Sequence, residues 1–204
     1  MVLPSLPADC SANMESRNRK IIVAITGASG SIYAQKLLER ISKLKNPPDE
    51  IAIIFSDTAK EIWEYETGKK FRKKAPEKEY NNSNLFAPFA SGSSSYDTMI
   101  ICPASMGMLG RIANGISDDL ISRAADVMLK ERRKLILVPR EMPYNLIQIK
   151  NMETLTLAGA IICPATPSFY SLPKTIDDLV MTVVERIISI GEFDGDFYRW
   201  MEND

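Results

Sequence analysis

Five short apolar runs recur along this 204-residue chain, each bounded by turn-forming or helix-capping residues. They are Ile21–Thr26, Ile51–Phe55, Met99–Cys102, Leu135–Val138 and Ala160–Cys163. Hydrophobicity within the runs is continuous rather than alternating, which is typical of strands that are covered on both faces. The runs therefore predict the strands of one buried sheet.

The segments between the runs show the apolar spacing of helices. Ser31–Leu44, Asp119–Lys130 and Ile176–Ile190 each place their apolar residues on one face, and Thr58–Glu66 is a shorter candidate. Alternating short strands and helices predict a three-layer, doubly wound α/β fold with a mostly parallel sheet. A chain of 204 residues is expected to form one such domain.

The segment Lys69–Ser95 interrupts this alternation. Its basic run, made of Lys69, Lys70, Arg72, Lys73 and Lys74, is interpreted as a solvated loop. The small residues Ser91–Ser95 stand just before a strand, where they would let the backbone approach a ligand closely.

Histidine is absent from the chain, and this excludes several classes of chemistry. A Ser-His-Asp or Cys-His nucleophile pair, a His-ligated zinc ion and an imidazole proton shuttle are all ruled out. Proton transfer must come from carboxylates, Lys, Tyr, Cys or the substrate.

The net charge of -1 lacks the basic excess of a nucleic-acid binder, although a local phosphate-binding cluster remains compatible with it.

Cysteine usage and hydropathy indicate a cytosolic protein. Cys10, Cys102 and Cys163 are odd in number and far apart, which favours reduced thiols over a disulfide framework or a metal site. No apolar run approaches the ~18 residues of a membrane span. The polar, aperiodic residues 1–20 are interpreted as a flexible extension, with an organelle-targeting segment as the alternative.

Ligands of open α/β sheets bind outside the carboxyl ends of the strands, so the residues that follow each apolar run are expected to face one site. Gly27–Gly30 lead from the first run into a helix, and their backbone N–H groups could face an anion. The alternative is that these residues form only a tight strand–helix turn. They do not match the GxGxxG dinucleotide fingerprint. Ser56–Asp57 and Pro103–Gly107 add hydroxyl groups behind the second and third runs.

The fourth and fifth runs end in charged and aromatic side chains. Arg140 and Glu141 follow Pro139, and Pro164–Tyr170 stiffen the approach to Tyr170. Three strand ends thus offer donors to a phosphate, and the other two add Arg, Glu and Tyr.

Several motifs resemble the UbiX/Pad-type flavin prenyltransferases, which belong to a flavodoxin-like flavoprotein superfamily that also contains peptidyl-cysteine decarboxylases. The matching stretches are Thr26–Leu38 (TGASGSIYAQKLL), Ser56, Ala90–Ser94 (ASGSS), Ile101–Leu109 (ICPASMGML), Ser122–Pro143 (SRAADVMLKERRKLILVPREMP) and Ala165–Val180 (ATPSFYSLPKTIDDLV). The resemblance runs from about Ile21 to about Ile190. It implies a Rossmann/flavodoxin-like domain over residues 21–191, an N-terminal extension of residues 1–20 and a C-terminal tail of residues 192–204.

The resemblance implies that the protein transfers a dimethylallyl group from dimethylallyl phosphate to N5 and C6 of reduced FMN, without a metal ion. The prenylated FMN would serve a UbiD-type decarboxylase as partner. The resemblance also implies a cytoplasmic homo-oligomer, a dodecamer, with sites at subunit interfaces.

Site residues carry over by position in the matching motifs. FMN would be held by Gly27, Ala28, Ser29, Ser56, Ser105, Met106, Gly107, Met108 and Arg140. The prenyl phosphate would be bound by Lys130, Tyr170 and Arg186, with Arg140 close enough to serve both ligands. The catalytic set would be Ser29, Glu66, Lys130 and Glu141. In that set Glu141 could supply a proton to the leaving phosphate, and Ser29 and Glu66 could manage the N5 proton. Trp200 matches an aromatic residue that could cover the site.

Two other functions compete with prenyl transfer. The alternative of an FMN-dependent decarboxylase from the same superfamily is less favoured, because the mechanism of such enzymes resembles one that needs a histidine. A non-catalytic FMN-binding protein has no use for Lys130, Glu141, Tyr170 and Arg186 as a set. Taken singly, Arg186 could be a surface charge, Tyr170 a core aromatic and Arg123 an intersubunit or phosphate contact.

Overall fold

A computed structural model describes residues 19–194 of the chain, and in it six strands form one sheet in the order β3-β2-β1-β4-β5-β6. Every pairing between neighbouring strands is parallel. The strands are β1 Lys20–Ile25, β2 Glu50–Phe55, β3 Glu77–Asn81, β4 Tyr96–Ala104, β5 Lys134–Pro139 and β6 Ile161–Ile162. This confirms the predicted doubly wound sheet.

Within residues 19–194, five α-helices lie between strands, a sixth follows β6, and together they cover both faces of the sheet. They are α1 Ser31–Ile41, α2 Ala59–Thr67, α3 Met106–Ala113, α4 Leu120–Lys130, α5 Leu146–Leu157 and α6 Ile176–Ile190. Helices α1, α2 and α6 pack on one face, and α3, α4 and α5 contribute buried residues to the other. Side chains of β1 pack on both faces of the sheet, because Val23 belongs to the core beneath α1, α2 and α6 and Ala24 belongs to the core on the opposite face.

The strand order places a topological switch point at β1. Strand β1 pairs with β2 on one side and with β4 on the other, so the loops after β1 and β4 leave the sheet side by side. A crevice outside the carboxyl ends of the strands is the usual ligand site of such a sheet.

Strand β3 and helix α5 differ from the sequence prediction. Glu77–Asn81 form the edge strand β3 inside Lys69–Ser95, the segment in which the sequence predicted no strand. Helix α5 has only Leu155 fully buried, so its sequence lacks the single apolar stripe that announces a helix. In the described part of the chain, no helix is both long enough and apolar enough to cross a membrane.

Candidate functional site

A buried threonine fixes the mouth of the crevice between β1 and β4. The hydroxyl and backbone N–H of Thr26 donate to the carbonyl of Pro103 at 2.8 and 3.2 Å. The same hydroxyl accepts from the N–H of Ser105 at 2.7 Å. Thr26 therefore ties the loop after β1 to the loop after β4. It is a positioning residue that the sequence analysis missed, although a hydroxyl residue directly before a glycine at a strand end was visible in the sequence.

The loop Gly27–Gly30 is packed against α2. A β-carbon on Gly27 would lie 2.5 Å from Oγ1 of Thr58, so any side chain at this position would force Thr58 to shift. Gly30 adopts a φ of 117°, a left-handed conformation that favours glycine. Gly27 and Ser29 are exposed while Ala28 is buried. The loop thus presents two small residues to the crevice from a fixed position.

The Glu66 carboxylate occupies the start of α1. It accepts from the N–H of Gly30 at 2.9 and 3.1 Å and from the N–H of Ser31 at 2.7 Å. Partial burial raises the pKa of Glu66, but hydrogen bonds from the Ser29 side chain and from these backbone groups outweigh it and hold the pKa below its usual value. The anion at this helix start is therefore a side chain of the protein, which corrects the view of Gly27–Gly30 as an open anion cradle.

Arg140 reaches the same loop from the end of β5. Its Nε donates to the carbonyl of Ser29 at 2.9 Å, and the side chain is half-buried. Glu141 is exposed, and its Oε1 accepts from the N–H of Met142 at 3.0 Å. A cation and a carboxylate thus stand together at this strand end.

Two predicted serines flank the loop. Ser105 begins α3, where its Oγ accepts from the N–H of Met108 at 3.3 Å. Ser56 is half-buried at the end of β2, and its N–H donates to the carbonyl of Ile25 at 2.9 Å. Met106 is half-buried, Gly107 is exposed and Met108 is buried. One chain therefore brings together Gly27, Ala28, Ser29, Ser56, Glu66, Ser105 and Arg140 at the carboxyl edge of the sheet.

Lys130 lies at the opposite side of the sheet, where the amino ends of the strands are. It ends α4, and its Nζ contacts Oε1 of Glu131 at 3.0 Å, next to Gly92. Arg140 follows β5 whereas Lys130 precedes it, and a six-residue strand spans about 20 Å. Lys130 and Arg140 of one chain therefore do not meet.

The Ser91–Ser95 loop lies beside Lys130, also far from the switch-point crevice. Arg133 donates to the carbonyls of Gly92 and Tyr96 at 2.5 and 3.1 Å. Within the chain, the small residue at Gly92 makes room for the Glu131 side chain.

Tyr170 and Arg186 lie on the β6 side of the sheet. Tyr170 is exposed in the connection after β6, and Arg186 is exposed on α6. Burial raises the pKa of the Cys163 thiol, and the positive charge of Arg186 opposes that rise, so the guanidinium lies near this edge strand. Trp200 lies outside the described residues.

Comparison with known proteins gives a consistent family. Residues 9–188 match the family model described as Flavoprotein. The chain is 45% identical over 184 residues to the flavin prenyltransferase UbiX of Methanocaldococcus jannaschii, covering 89% of this chain and 98% of the relative. It is 41% identical to the Thermoplasma acidophilum UbiX flavin prenyltransferase, covering 89% and 99% of the two chains.

Two solved structures share this fold. AnUbiX (PadA1) in complex with FMN and dimethylallyl pyrophosphate matches with a TM-score of 0.84 and 42% identity, covering 90% of this chain and 98% of that one. A dodecameric FMN-dependent UbiX-like decarboxylase from Escherichia coli O157:H7 matches with a TM-score of 0.83 and 39% identity, covering 89% and 99%.

Proposed function

The chain belongs to the flavoprotein family and, within it, to the UbiX-type flavin prenyltransferases, and we propose that it transfers a dimethylallyl group from dimethylallyl phosphate to reduced FMN. The observation that carries the proposal is the crevice between β1 and β4, where Glu66 and Arg140 both contact the loop that precedes α1. A family member of the same fold has been solved with FMN and the related diphosphate donor.

The residues of the crevice fit FMN. Gly27 and Ser29 are exposed and small, which leaves room for a flat ring system against the loop. The hydroxyls of Ser56 and Ser105 flank the loop and can donate to polar groups of the ligand. Met106, Gly107 and Met108 complete the proposed binding wall, together with Ala28. Reduced FMN, when bound, supplies the N5 and C6 atoms that accept the dimethylallyl group.

Cationic and phenolic side chains are proposed to bind the donor phosphate. Arg140 is already at the crevice, and each charge-assisted hydrogen bond to phosphate contributes roughly 1.5–3 kcal/mol. Tyr170 and Arg186 would add donors from the β6 side. Lys130 is too far from Arg140 in the same chain, so we propose that it enters the site from a second copy. The dodecameric relative supports such an assembly.

Carboxylates at the crevice are proposed to move the protons. Glu66 is ionised and lies against the loop that precedes α1, so its carboxylate could accept a proton near the flavin, with Ser29 beside it. Glu141 is exposed next to Arg140, where it could give a proton to the departing phosphate. Arg140, Lys130 and Tyr170 would stabilise the charge that gathers on the phosphate oxygens as the allylic bond breaks.

We also propose the cellular setting that family membership suggests. The catalytic domain would span residues 21–191, flanked by extensions over 1–20 and 192–204. The protein would act in the cytoplasm as a homo-oligomer, a dodecamer, and pass prenylated FMN to a UbiD-type decarboxylase.

The decisive test is an anaerobic incubation of the full chain with reduced FMN and dimethylallyl phosphate, followed by mass spectrometry of the released flavin. We expect the flavin to gain the mass of one dimethylallyl-derived unit, and a parallel reaction with the diphosphate establishes which donor is used. Arg140→Ala should lose the product, whereas Lys150→Ala, an exposed change on α5, should keep it. Unmodified flavin with both donors under reducing conditions would refute the proposal.

A further inference from the structure

A second cleft lies between α1, α2 and the segment that connects α2 to β3. It has a volume of about 510 Å³, which is within the size range of small-molecule sites, about 300–1,000 Å³. Its lining residues do not include any of the predicted FMN or donor residues. The cleft therefore belongs to a different part of the surface from the switch-point crevice.

The floor of the cleft is aromatic. Trp63 and Phe71 both line it, with their ring centroids 5.4 Å apart and their planes at 87°. Phe55 packs behind them, 5.8 Å from Trp63 and 4.9 Å from Phe71. Trp63 is only 6% exposed, so the core holds this floor in place. Leu38 of α1 adds an aliphatic wall.

The rim of the cleft is basic. Lys69, Lys70, Arg72 and Lys74 line it, and all four are exposed. Among residues 19–194, none of these four side chains takes part in an ion pair. The rim charges are thus available to a ligand.

Two carboxylates also line the cleft, and both have partners within the protein. Glu39 accepts from Gln35 at 3.2 Å and lies 4.0 Å from Lys36. Glu77 accepts from the N–H of Lys74 at 2.7 Å, and burial raises the pKa of its carboxyl. Four cations against two engaged carboxylates leave a positive field over an aromatic floor.

From this arrangement we propose that the cleft is a second ligand site, which binds an amphipathic anion with an aromatic or short aliphatic body and a phosphate or carboxylate head. The body would pack on Trp63 and Phe71, and the head would pair with Lys70 and Arg72 at the rim. The basic run Lys69–Lys74 then acts as an anion-binding rim rather than a merely solvated loop. The inference is independent of the prenyl-transfer reaction.

Isothermal titration calorimetry on the full chain with FMN bound tests this site. The probes are phenyl phosphate and phenylacetate, which share the body and differ in the head, with inorganic phosphate and benzyl alcohol as the separate halves. We expect at least one whole probe to bind more tightly than either half. The preferred probe identifies phosphate or carboxylate as the head group.

Matched variants locate the binding in the cleft. Arg72→Ala and Lys70→Ala should each weaken the probe about tenfold, since each removes one charge-assisted contact. Lys73→Ala removes the same charge from the same exposed run at a residue that does not line the cleft, and it should bind as the parent does. All three side chains are exposed, so loss of folding does not confuse the comparison. Absence of probe binding, or equal effects of Arg72→Ala and Lys73→Ala, would overturn the proposal.

Discussion

The Glu66 side chain joins α2 to the first turn of α1, and this sets what the β1–α1 loop can offer a ligand. Its carboxylate takes the N–H groups of Gly30 and Ser31, which are the amides that a bound phosphate would otherwise use. The crevice therefore offers the Gly27–Ser29 surface, the flanking hydroxyls and Arg140 rather than a bare helix start. Under the proposed function, this surface would take the ring and ribityl parts of the flavin rather than its phosphate.

Replacing the Glu66 carboxylate tests its role as a proton acceptor. Glu66→Gln keeps an oxygen that can accept from the loop, so FMN binding should persist, while product formation should fall about a hundredfold or more. Flavin binding is measured by fluorescence and product by mass spectrometry. Glu64→Gln, an exposed change on the same helix, is the control and should behave as the parent does. Turnover of Glu66→Gln near the parental rate would remove Glu66 from the catalytic set.

Gly27 owes its identity to the neighbouring Thr58 hydroxyl. Gly27→Ala would push a methyl group against Oγ1 of Thr58 and should lower the free energy of unfolding by about 1–3 kcal/mol. Thr58→Ala removes that oxygen, and the remaining β-carbon lies 3.8 Å from the new methyl, an ordinary contact. The double variant should thus regain most of the lost stability in urea unfolding. Additive effects of the two changes would contradict the packing explanation.

At the scale of elements, the central strands were predictable because burial on both faces demands continuous apolar runs. The same logic fails for β3, whose residues Glu77–Asn81 are polar and largely exposed. An edge strand pairs on one side only, and charged side chains there prevent further pairing, so its sequence looks like a loop. Helix α5 was not predicted for a related reason. Its apolar residues Leu146, Ile147 and Leu157 are exposed, so they do not form the buried apolar stripe by which a helix is recognised in a sequence.

The edge of the sheet near β3 is held by a buried carboxylate at the start of β2. Glu50 is 8% exposed, and it accepts from the Tyr96 hydroxyl at 2.5 Å and from Lys78 at 2.8 Å. Burial raises the pKa of Glu50, but these bonds and the charges of Lys78 and Lys20 outweigh it and leave the pKa below its ordinary value of 4.5. Ionised Glu50 therefore stabilises the fold.

This interaction has a defined pH dependence. Because the pKa of Glu50 is lower in the folded chain, its contribution is complete above the ordinary pKa and disappears as the pH falls through the folded value. Glu50→Gln should lower the free energy of unfolding at pH 7 by about 1–3 kcal/mol, and the difference from the parent should shrink in acid. Urea unfolding at a series of pH values measures this, with the exposed Glu153→Gln as control. A difference that stays constant into acid would rule out an ionic role.

At the scale of the whole molecule, the sequence motifs named a residue set that one chain does not assemble. The motif Ser122–Pro143 contains both Lys130 and Arg140, yet these residues stand at the two ends of β5. Residues that are close in the sequence are far apart here, because the residues before and after a strand lie at opposite ends of that strand. The parallel topology, which the apolar runs did predict, gives the physical reason why a second copy would be needed to complete the proposed set, in line with the interface sites that the family resemblance implies.

The separation of Lys130 from the crevice makes each chain a contributor to two different sites in the proposed assembly. A subunit that carries Lys130→Ala would still offer an intact crevice, and one that carries Glu66→Gln would still offer an intact lysine. Two inactive variants should then complement each other when co-expressed, and random mixing in equal amounts would restore about a quarter of the sites. Prenylation assays on the co-purified mixture measure this recovery. Activity no greater than the sum of the two variants alone would mean that each chain builds its site unaided.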